Sequence, residues 1–327
     1  MDKYIETFPH QLMEAIRISE TIRKIKTQKT INNIIITGMG GSGIGGAIVK
    51  EYVQDTIKIP IAINNSYTLP AYANKNTLVI CSSYSGETVE TVSALEHAIK
   101  NKCAIICITT GGAIEKIAEK NKILIIRIPG AMPPRTCLGY SIVAQLFILY
   151  KAGFIKKDFI PEIEAASKYL YSNTKSIRTS AKTLAKKLHN KIPLIYASVA
   201  MQSIGIRWKQ QMNENPKMHS FANAISEMNH NELVGFHHEN ENMAIVFLRN
   251  ADDDAQIKKR FDLSKKFIQK KVYAVFEVYS EGNSMLEKMF YLIHLGDWVS
   301  FYLAELRNVD AVKIEVLDKL KKELAKK

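Results

Sequence analysis

NIIITGMGGSGIGGAIV runs from Asn33 to Val49 and holds three kinds of sequence in succession. Ile34, Ile35 and Ile36 form a β-branched run that ends in Thr37, the pattern of a buried strand. Between Gly38 and Gly46 come six glycines (Gly38, Gly40, Gly41, Gly43, Gly45, Gly46) and Ser42. Ala47, Ile48 and Val49 then resume an apolar helical pattern. Strand, glycine loop and helix in that order make an anion cradle. Glycine lets the backbone turn tightly and approach a ligand, and the unpaired N–H groups of a helix start point at negative charge. Dinucleotides use such a cradle, and so do simple phosphate esters.

Outward from this stretch, apolar runs alternate with helical ones. Strands are expected at Ile34–Thr37, Ile59–Asn64, Leu78–Ser82, Ala104–Thr109 and Ile123–Ile128, with helices near Gly45–Gln54, Thr88–Lys100 and Ala113–Lys120. Continuous Ile/Val/Leu runs imply strands buried on both faces, hence a mainly parallel sheet covered by helices with right-handed crossovers. The first thirty residues carry a helical period (Leu12, Ile16, Ile18, Ile22, Ile25), and helix Ser141–Ala152 closes a first lobe, residues 1–154. The text turns polar from Ile155 to Pro161, and a second lobe, residues 155–327, repeats the alternation. Its helices are expected at Pro161–Tyr171, Lys175–Leu188, Gln202–Asn213, Asp254–Lys270, Ser284–Leu306 and Val312–Ala325. Its strands are Pro193–Ala197, Ala244–Arg249 and Val272–Tyr279. The expected fold is α/β with two lobes, each a mainly parallel sheet flanked by helices, and a ligand cleft near the carboxyl ends of the strands.

The bulk numbers agree. A chain of 327 residues exceeds one average core, and 46% apolar with 24% charged residues is ordinary for a globular protein. MDKYIETFPH has no apolar signal region, and no apolar run approaches the ~18 residues of a membrane span. A cytoplasmic protein without a membrane role is expected. The net charge of +13 comes from lysines and arginines scattered on helices, as at Arg23–Lys29, Lys186, Lys187, Lys258, Lys259 and Lys319–Lys327. No aromatic platform lies among them, so they read as solvated surface rather than a nucleic-acid face. Cys81, Cys103 and Cys107 fall within apolar β-type runs, and Cys137 follows Arg135 and Thr136. Cys103 and Cys107, four apart on a strand, are expected to face one side as buried small hydrophobes, with no zinc or disulfide framework.

A second loop separates the two ligand classes. Gly38-Met39-Gly40-Gly41-Ser42-Gly43 fits G-x-G-x-x-G, but a dinucleotide site also needs an acid at the end of the next strand for the ribose. That strand ends Ile63-Asn64-Asn65-Ser66. After the third strand stands Cys81-Ser82-Ser83-Tyr84-Ser85-Gly86-Glu87-Thr88. Its hydroxyls crowd a glycine at a helix start and suit a terminal phosphate monoester. N-capping by Ser85 would account for one of them, not for all.

GMGGSGIGG with SSYSGET resembles the sugar isomerase domain of phosphosugar isomerases, glucosamine-6-phosphate synthase and sugar-phosphate sensors. Pro133-Pro134-Arg135, Asn213-Glu214-Asn215-Pro216-Lys217, Glu227-Met228-Asn229-His230-Asn231-Glu232 and Leu320-Lys321 narrow it. In this order, over essentially the whole chain, they resemble the bifunctional phosphoglucose/phosphomannose isomerases of archaea and some bacteria. Pro216, and Asn308-Val309-Asp310-Ala311 where a proline-containing turn is usual, depart from that pattern.

The resemblance implies roles. Glu214 is the base that moves a proton between C1 and C2 through a cis-enediol, a task for a carboxylate whose pKa burial can lift. His230 opens the sugar ring and, as in the wider family, reaches into a partner's site, which implies a homodimer with shared active sites. Arg135, on a loop stiffened by two prolines, steadies the enediolate. Lys321 assists at the ring oxygen, Leu317 and Leu320 marking the buried face of its helix; Lys319 and Lys322 crowd the same helix. Ser83, Ser85 and Thr88 take the phosphate, and Gly40, Gly41 and Ser42 the sugar hydroxyls. His237-His238-Glu239 lacks helical metal-ligand spacing and reads as loop, so neither metal nor other cofactor is expected. The implied activity is a metal-independent isomerisation of glucose 6-phosphate, and of mannose 6-phosphate, to fructose 6-phosphate. A non-catalytic sugar-phosphate sensor would keep the loops without needing Glu214, Arg135 and His230, but no DNA-binding module is appended. A dehydrogenase comes third, for want of the ribose acid.

Overall fold

The structure is a computed structural model that describes residues 1–22, 25 and 30–324. The basic run Arg23–Lys29, Ile25 apart, and the chain beyond Leu324 lie outside the described residues. In chain order the first elements are α1 (Asp2–Glu6), α2 (Phe8–Glu20), β1 (Asn33–Thr37), α3 (Gly40–Val53), β2 (Ile61–Asn64) and β3 (Thr77–Ser82). Next come α4 (Val89–Lys100), β4 (Ala104–Thr109), α5 (Gly112–Lys120), β5 (Leu124–Arg127), α6 (Leu138–Lys151) and α7 (Phe159–Ser172). The chain separates into two compact units. The first comprises Glu6–Ser172 with Glu281–Tyr291; the second comprises Met1–Ile5, Asn173–Ser280 and the chain from Leu292 onward.

The first unit holds five parallel strands in the order β2-β1-β3-β4-β5. Ile34, Ile35 and Ile36 are fully enclosed and all six residues of β3 are buried. Each such aliphatic burial is worth about 1.5–3 kcal/mol over exposure. The chain steps from β1 through α3 to β2 on one side, then returns to place β3 on the other. The switch point therefore falls between β1 and β3, where open α/β sheets bind ligands. α3 begins at Gly40, five residues earlier than expected, so most of the glycines lie in its first two turns rather than in a loop. The reason is packing: a Cβ at position 46 would lie 2.6 Å from Ile36, and α3 could not seat on β1. Cys103 lies one residue ahead of β4 and is half-buried rather than fully buried. It packs with Ile35, Val79 and Ala94, while Cys107 packs with Cys81 and Ile114.

The second unit opens with α8 (Thr174–Leu188) and continues β6 (Ile192–Ala197), α9 (Gln202–Glu214), β7 (Phe221–Ala224), α10 (Ile225–Met228) and β8 (Asn240–Arg249). α11 (Ala255–Ile268), β9 (Val272–Tyr279), α12 (Met285–Leu306) and α13 (Glu315–Leu324) follow. Four parallel strands lie in the order β7-β6-β8-β9. β7 is absent from the sequence reading because FANA is a four-residue edge strand with Phe221 59% exposed. The helices take both faces. Gly205 of α9 lies over Ile195 and Ala197, while Tyr196, on the opposite face, packs with Ile225, Met228 and Phe261. No helix among the described residues is long and apolar enough to cross a membrane.

Candidate active site

Three segments of the first unit meet at the carboxyl ends of β1 and β3. The bend Gly38-Met39 leads into α3, whose start has no side-chain cap. At Gly41, a Cβ would stand 3.3 Å from the Pro134 carbonyl oxygen and 3.7 Å from the Arg135 Cα, so this glycine brings the helix start against the Arg135 turn. Arg135 sits in a 3-10 turn, Pro134–Thr136, and is 4% exposed. Its turn is braced by Thr136, which donates from N and Oγ1 to the Pro133 carbonyl, each at 2.8 Å. A guanidinium kept from bulk water interacts more strongly with charge that develops nearby.

The hydroxyl loop after β3 is built differently from an ordinary cap. Thr88 occupies the N-cap of α4 without capping it; its Oγ1 instead accepts from Ser83 Oγ at 3.0 Å. Ser85 Oγ accepts from the Glu87 N–H at 3.2 Å, and Ser83 Oγ accepts from the Gly86 N–H at 3.2 Å. The first N–H groups of α4 thus have no side-chain acceptor from their own cap, the arrangement that favours an anion. Ser83 is buried, while Ser85 is exposed. Gly86 has φ +68°, and a Cβ there would lie 1.8 Å from the Gly111 carbonyl oxygen. Gly86→Ala is therefore expected to lower stability by at least about 2 kcal/mol and to weaken inorganic phosphate binding. Urea denaturation and competition by phosphate measure the two, and an unchanged midpoint would contradict the packing.

Asn64 and Asn65 occupy the place of a ribose-binding acid, and both are engaged locally. Asn64 Nδ2 donates to Thr37 Oγ1 at 3.2 Å, and Asn65 Nδ2 donates to the Gly38 carbonyl at 2.6 Å. The first bend is held from below by amides where a dinucleotide site would carry a carboxylate.

In the second unit, Glu214 is the last residue of α9, at the edge where the strands begin, and is half-buried. α9 is pinned to α12 by a buried pair. Arg207 Nη2 donates to Asp297 Oδ1 and Oδ2 at 3.1 and 3.2 Å, and Gln211 Nε2 donates to Asp297 Oδ1 at 2.8 Å. Beyond Glu214, Lys217 Nζ donates to the carbonyls of Glu214, Asn215 and Asp310. A cation at a helix C-terminus is favourable, and this one ties the end of α9 to the approach of α13. Arg307 Nε adds a bond to the Pro216 carbonyl at 2.8 Å. The two sequence departures, Pro216 and Asn308–Ala311, are thus parts of one contact. Lys217 and Asn308 both have positive φ, +54° and +53°.

His230 lies in the exposed turn after α10. That segment covers the Tyr196 face of the sheet, where Tyr196 donates to Glu232 Oε2 at 2.7 Å and Asn229 Nδ2 donates to Ser264 Oγ at 2.7 Å. Burial first, and the Glu232 carboxylate second, hold the Tyr196 phenol well above its usual range, so it stays a donor. Glu214 ends a helix on the other face. One copy of this unit does not gather Glu214 and His230. Lys321 is on α13, where Leu317 and Leu320 are 38% and 54% exposed. They do not mark a buried face as the sequence suggested, because neither is covered by a packed element. His294 is buried, accepts from Trp298 Nε1 at 3.1 Å, and is pushed down to about 3 by burial, so it stays neutral. His237 ends a 3-10 turn with its ring edge-on to His238. Among the described residues no group of three or more His, Cys, Asp and Glu side chains is placed to hold a metal ion.

Comparison with known proteins adds the following. A family model described as "SIS domain" matches residues 29–152, and one described as "Bacterial phospho-glucose isomerase C-terminal SIS domain" matches residues 177–324. The bifunctional phosphoglucose/phosphomannose isomerase of Caldicellulosiruptor bescii is 40% identical over 335 residues, spanning 99% of this chain and 99% of the relative. That of Aquifex aeolicus is 34% identical over 90% of each chain. Among solved structures, the C-terminal domain of glucosamine-fructose-6-phosphate aminotransferase from Francisella tularensis superposes with a TM-score of 0.76 at 15% identity, over 95% of this chain and 97% of that one, a likeness of fold.

Proposed function

The chain belongs to the family of bifunctional phosphoglucose/phosphomannose isomerases, and on that premise we propose that it interconverts glucose 6-phosphate and mannose 6-phosphate with fructose 6-phosphate. The observation that carries the reading is full-length identity of 40% to an isomerase of that name. The sensor alternative is not favoured, since it leaves Glu214, Arg135 and His230 without a task, and the dehydrogenase lacks its ribose acid.

The reaction moves one carbon-bound proton from C2 to C1 and one hydroxyl proton from O2 to O1. His230 opens the sugar ring, with Lys321 assisting at the ring oxygen. Glu214 then takes the hydrogen from C2 as a proton; the C2 electron pair forms the C1–C2 double bond while the C1 carbonyl pair moves to O1, which gains a proton to give the cis-enediol. O2 next loses its proton and forms the C2 carbonyl, and the double-bond pair takes the proton back from Glu214 at C1. Arg135 offsets the charge on the enediolate oxygen. Because C2 is planar in the enediol and the enediol can rotate about C2–C3, Glu214 can meet either face of C2, and the one stereocentre that separates the two aldoses is lost, which is how one site serves both. Ser83, Ser85 and Thr88 hold the phosphate; the α3 start, with Gly40, Gly41 and Ser42, holds sugar hydroxyls. Proton transfer of this kind calls for no metal or other cofactor. The lobes read from the sequence, residues 1–154 and 155–327, each contain one family match, at 29–152 and 177–324, whereas the compact units divide at Ser172/Asn173, with Met1–Ile5 in the second and Glu281–Tyr291 in the first.

The position of His230 on the opposite sheet face from Glu214 supports a homodimer in which each site takes His230 from the partner subunit. Cytoplasmic action on small sugar phosphates, without nucleic acid, completes the reading. The test is direct: each aldose phosphate is supplied with a chelator present and fructose 6-phosphate is followed. Both should yield product, and none from either would return the chain to the sensor class.

A further inference from the structure

Tyr84 lies between Ser83 and Ser85 in the hydroxyl loop, yet its side chain leaves that loop. Its hydroxyl accepts the Met132 N–H at 3.1 Å. Its carbonyl accepts from the Thr110 N–H at 3.1 Å and from Thr110 Oγ1 at 2.8 Å, which fixes its backbone to the loop after β4. Met132 precedes Pro133, Pro134 and Arg135, so the tether is followed by two residues of locked φ and then by the guanidinium. Ala131, just ahead, is held at φ +66°, a conformation that an L-residue keeps only when its neighbours impose it. The far side of the Arg135 turn is braced by Gln11 Nε2 on the Thr136 carbonyl at 2.8 Å. The near side is anchored on the Tyr84 hydroxyl.

We propose that Tyr84 is a positioning residue: it ties the placement of Arg135 to the loop that grips the phosphate, so that a seated phosphate aligns the group facing the enediolate. This rests on the functional reading above and deepens it. The phosphate is chemically remote from C1 and C2, and a link of this kind lets its binding act on the step at those carbons. Without the phenol oxygen the Met132 N–H loses its acceptor, Ala131 relaxes, and the two-proline segment carries the displacement to Arg135.

The experiment compares Tyr84→Phe, Arg135→Lys and the double variant in the full-length protein. Tyr84→Phe is expected to lower kcat roughly tenfold, the effect of a sub-ångström misplacement, while KM for glucose 6-phosphate and inhibition by inorganic phosphate stay within about twofold. Arg135→Lys should lower kcat on the order of 10²-fold, and adding Tyr84→Phe to it should change nothing further. Unchanged phosphate inhibition also certifies that the variant is folded at the loop. Multiplied losses in the double variant, a raised KM at unchanged kcat, or full activity of Tyr84→Phe would each overturn the tether while leaving the role of Arg135 intact. Full activity of Arg135→Lys would overturn the role of Arg135 and the tether with it.

Discussion

Glu214→Gln abolishes isomerisation of both aldose phosphates, with kcat falling on the order of 10³-fold or more, the scale of losing the group that takes the proton. Binding should survive. The amide has the carboxylate's shape, and the Asp297 network and the Lys217 bonds to backbone carbonyls, which help to fix this end of α9, stay in place. Inhibition by inorganic phosphate and the thermal midpoint should therefore match the parent protein. A glutamine variant that turns over normally would dismiss Glu214 as the base. One that fails only because phosphate no longer binds would place the defect in the loops instead.

The second large effect concerns assembly. His230→Gln alone should lose about 10²–10⁴-fold in activity on closed-ring substrate. Mixed with Glu214→Gln after dissociation and reassociation, it should recover activity. In a mixed dimer one site receives the intact glutamate of one chain and the intact histidine of the other. Random pairing then leaves about a quarter of all sites complete, so close to a quarter of parental activity returns. The expectation follows from the second unit: α9 lies over Ile195 and Ala197, and the His230 segment over Tyr196. Mixtures that stay inactive while exchanging subunits would contradict sharing and require both residues to act within one chain.

Much of this fold was legible because its strands are buried on both faces. β1, β3 and β4 are unbroken apolar runs between turn residues, and no other element type accounts for runs so short. What escaped depends on contacts between distant residues. FANA pairs with β6 at an exposed edge, so it carries no burial pattern of its own. β8 starts at Asn240 although its first residues are polar and exposed, because the ladder to β9 reaches that far. The glycines after Thr37 look like loop and are largely helix, since nothing local tells of Ile36 beneath them.

The site divides in the same way. Its hydroxyls and glycines announce themselves as clusters in the sequence, whereas the residues that hold them do not. Asn65 acts on Gly38 across 27 residues, Tyr84 on Met132 across 48, and Lys217 on Asp310 across 93. Tyr84 could have been suspected as the one aromatic residue within SSYSGET. Lys217 carries no such signal, because a lysine after a proline looks like any surface cation until the three carbonyls around it are seen.

The claim that underlies all of this is that hydrogen leaves C2 as a proton and passes through an enediol. It is tested most directly in D₂O, by NMR of the fructose 6-phosphate formed from each aldose phosphate. The account predicts deuterium at C1 of a measurable share of the product, because a protonated carboxylate exchanges with solvent before it returns its proton. Product from either aldose in which every molecule keeps the original C2 hydrogen at C1, with no deuterium in the aldose recovered at equilibrium, would contradict a base that exchanges with solvent during the reaction.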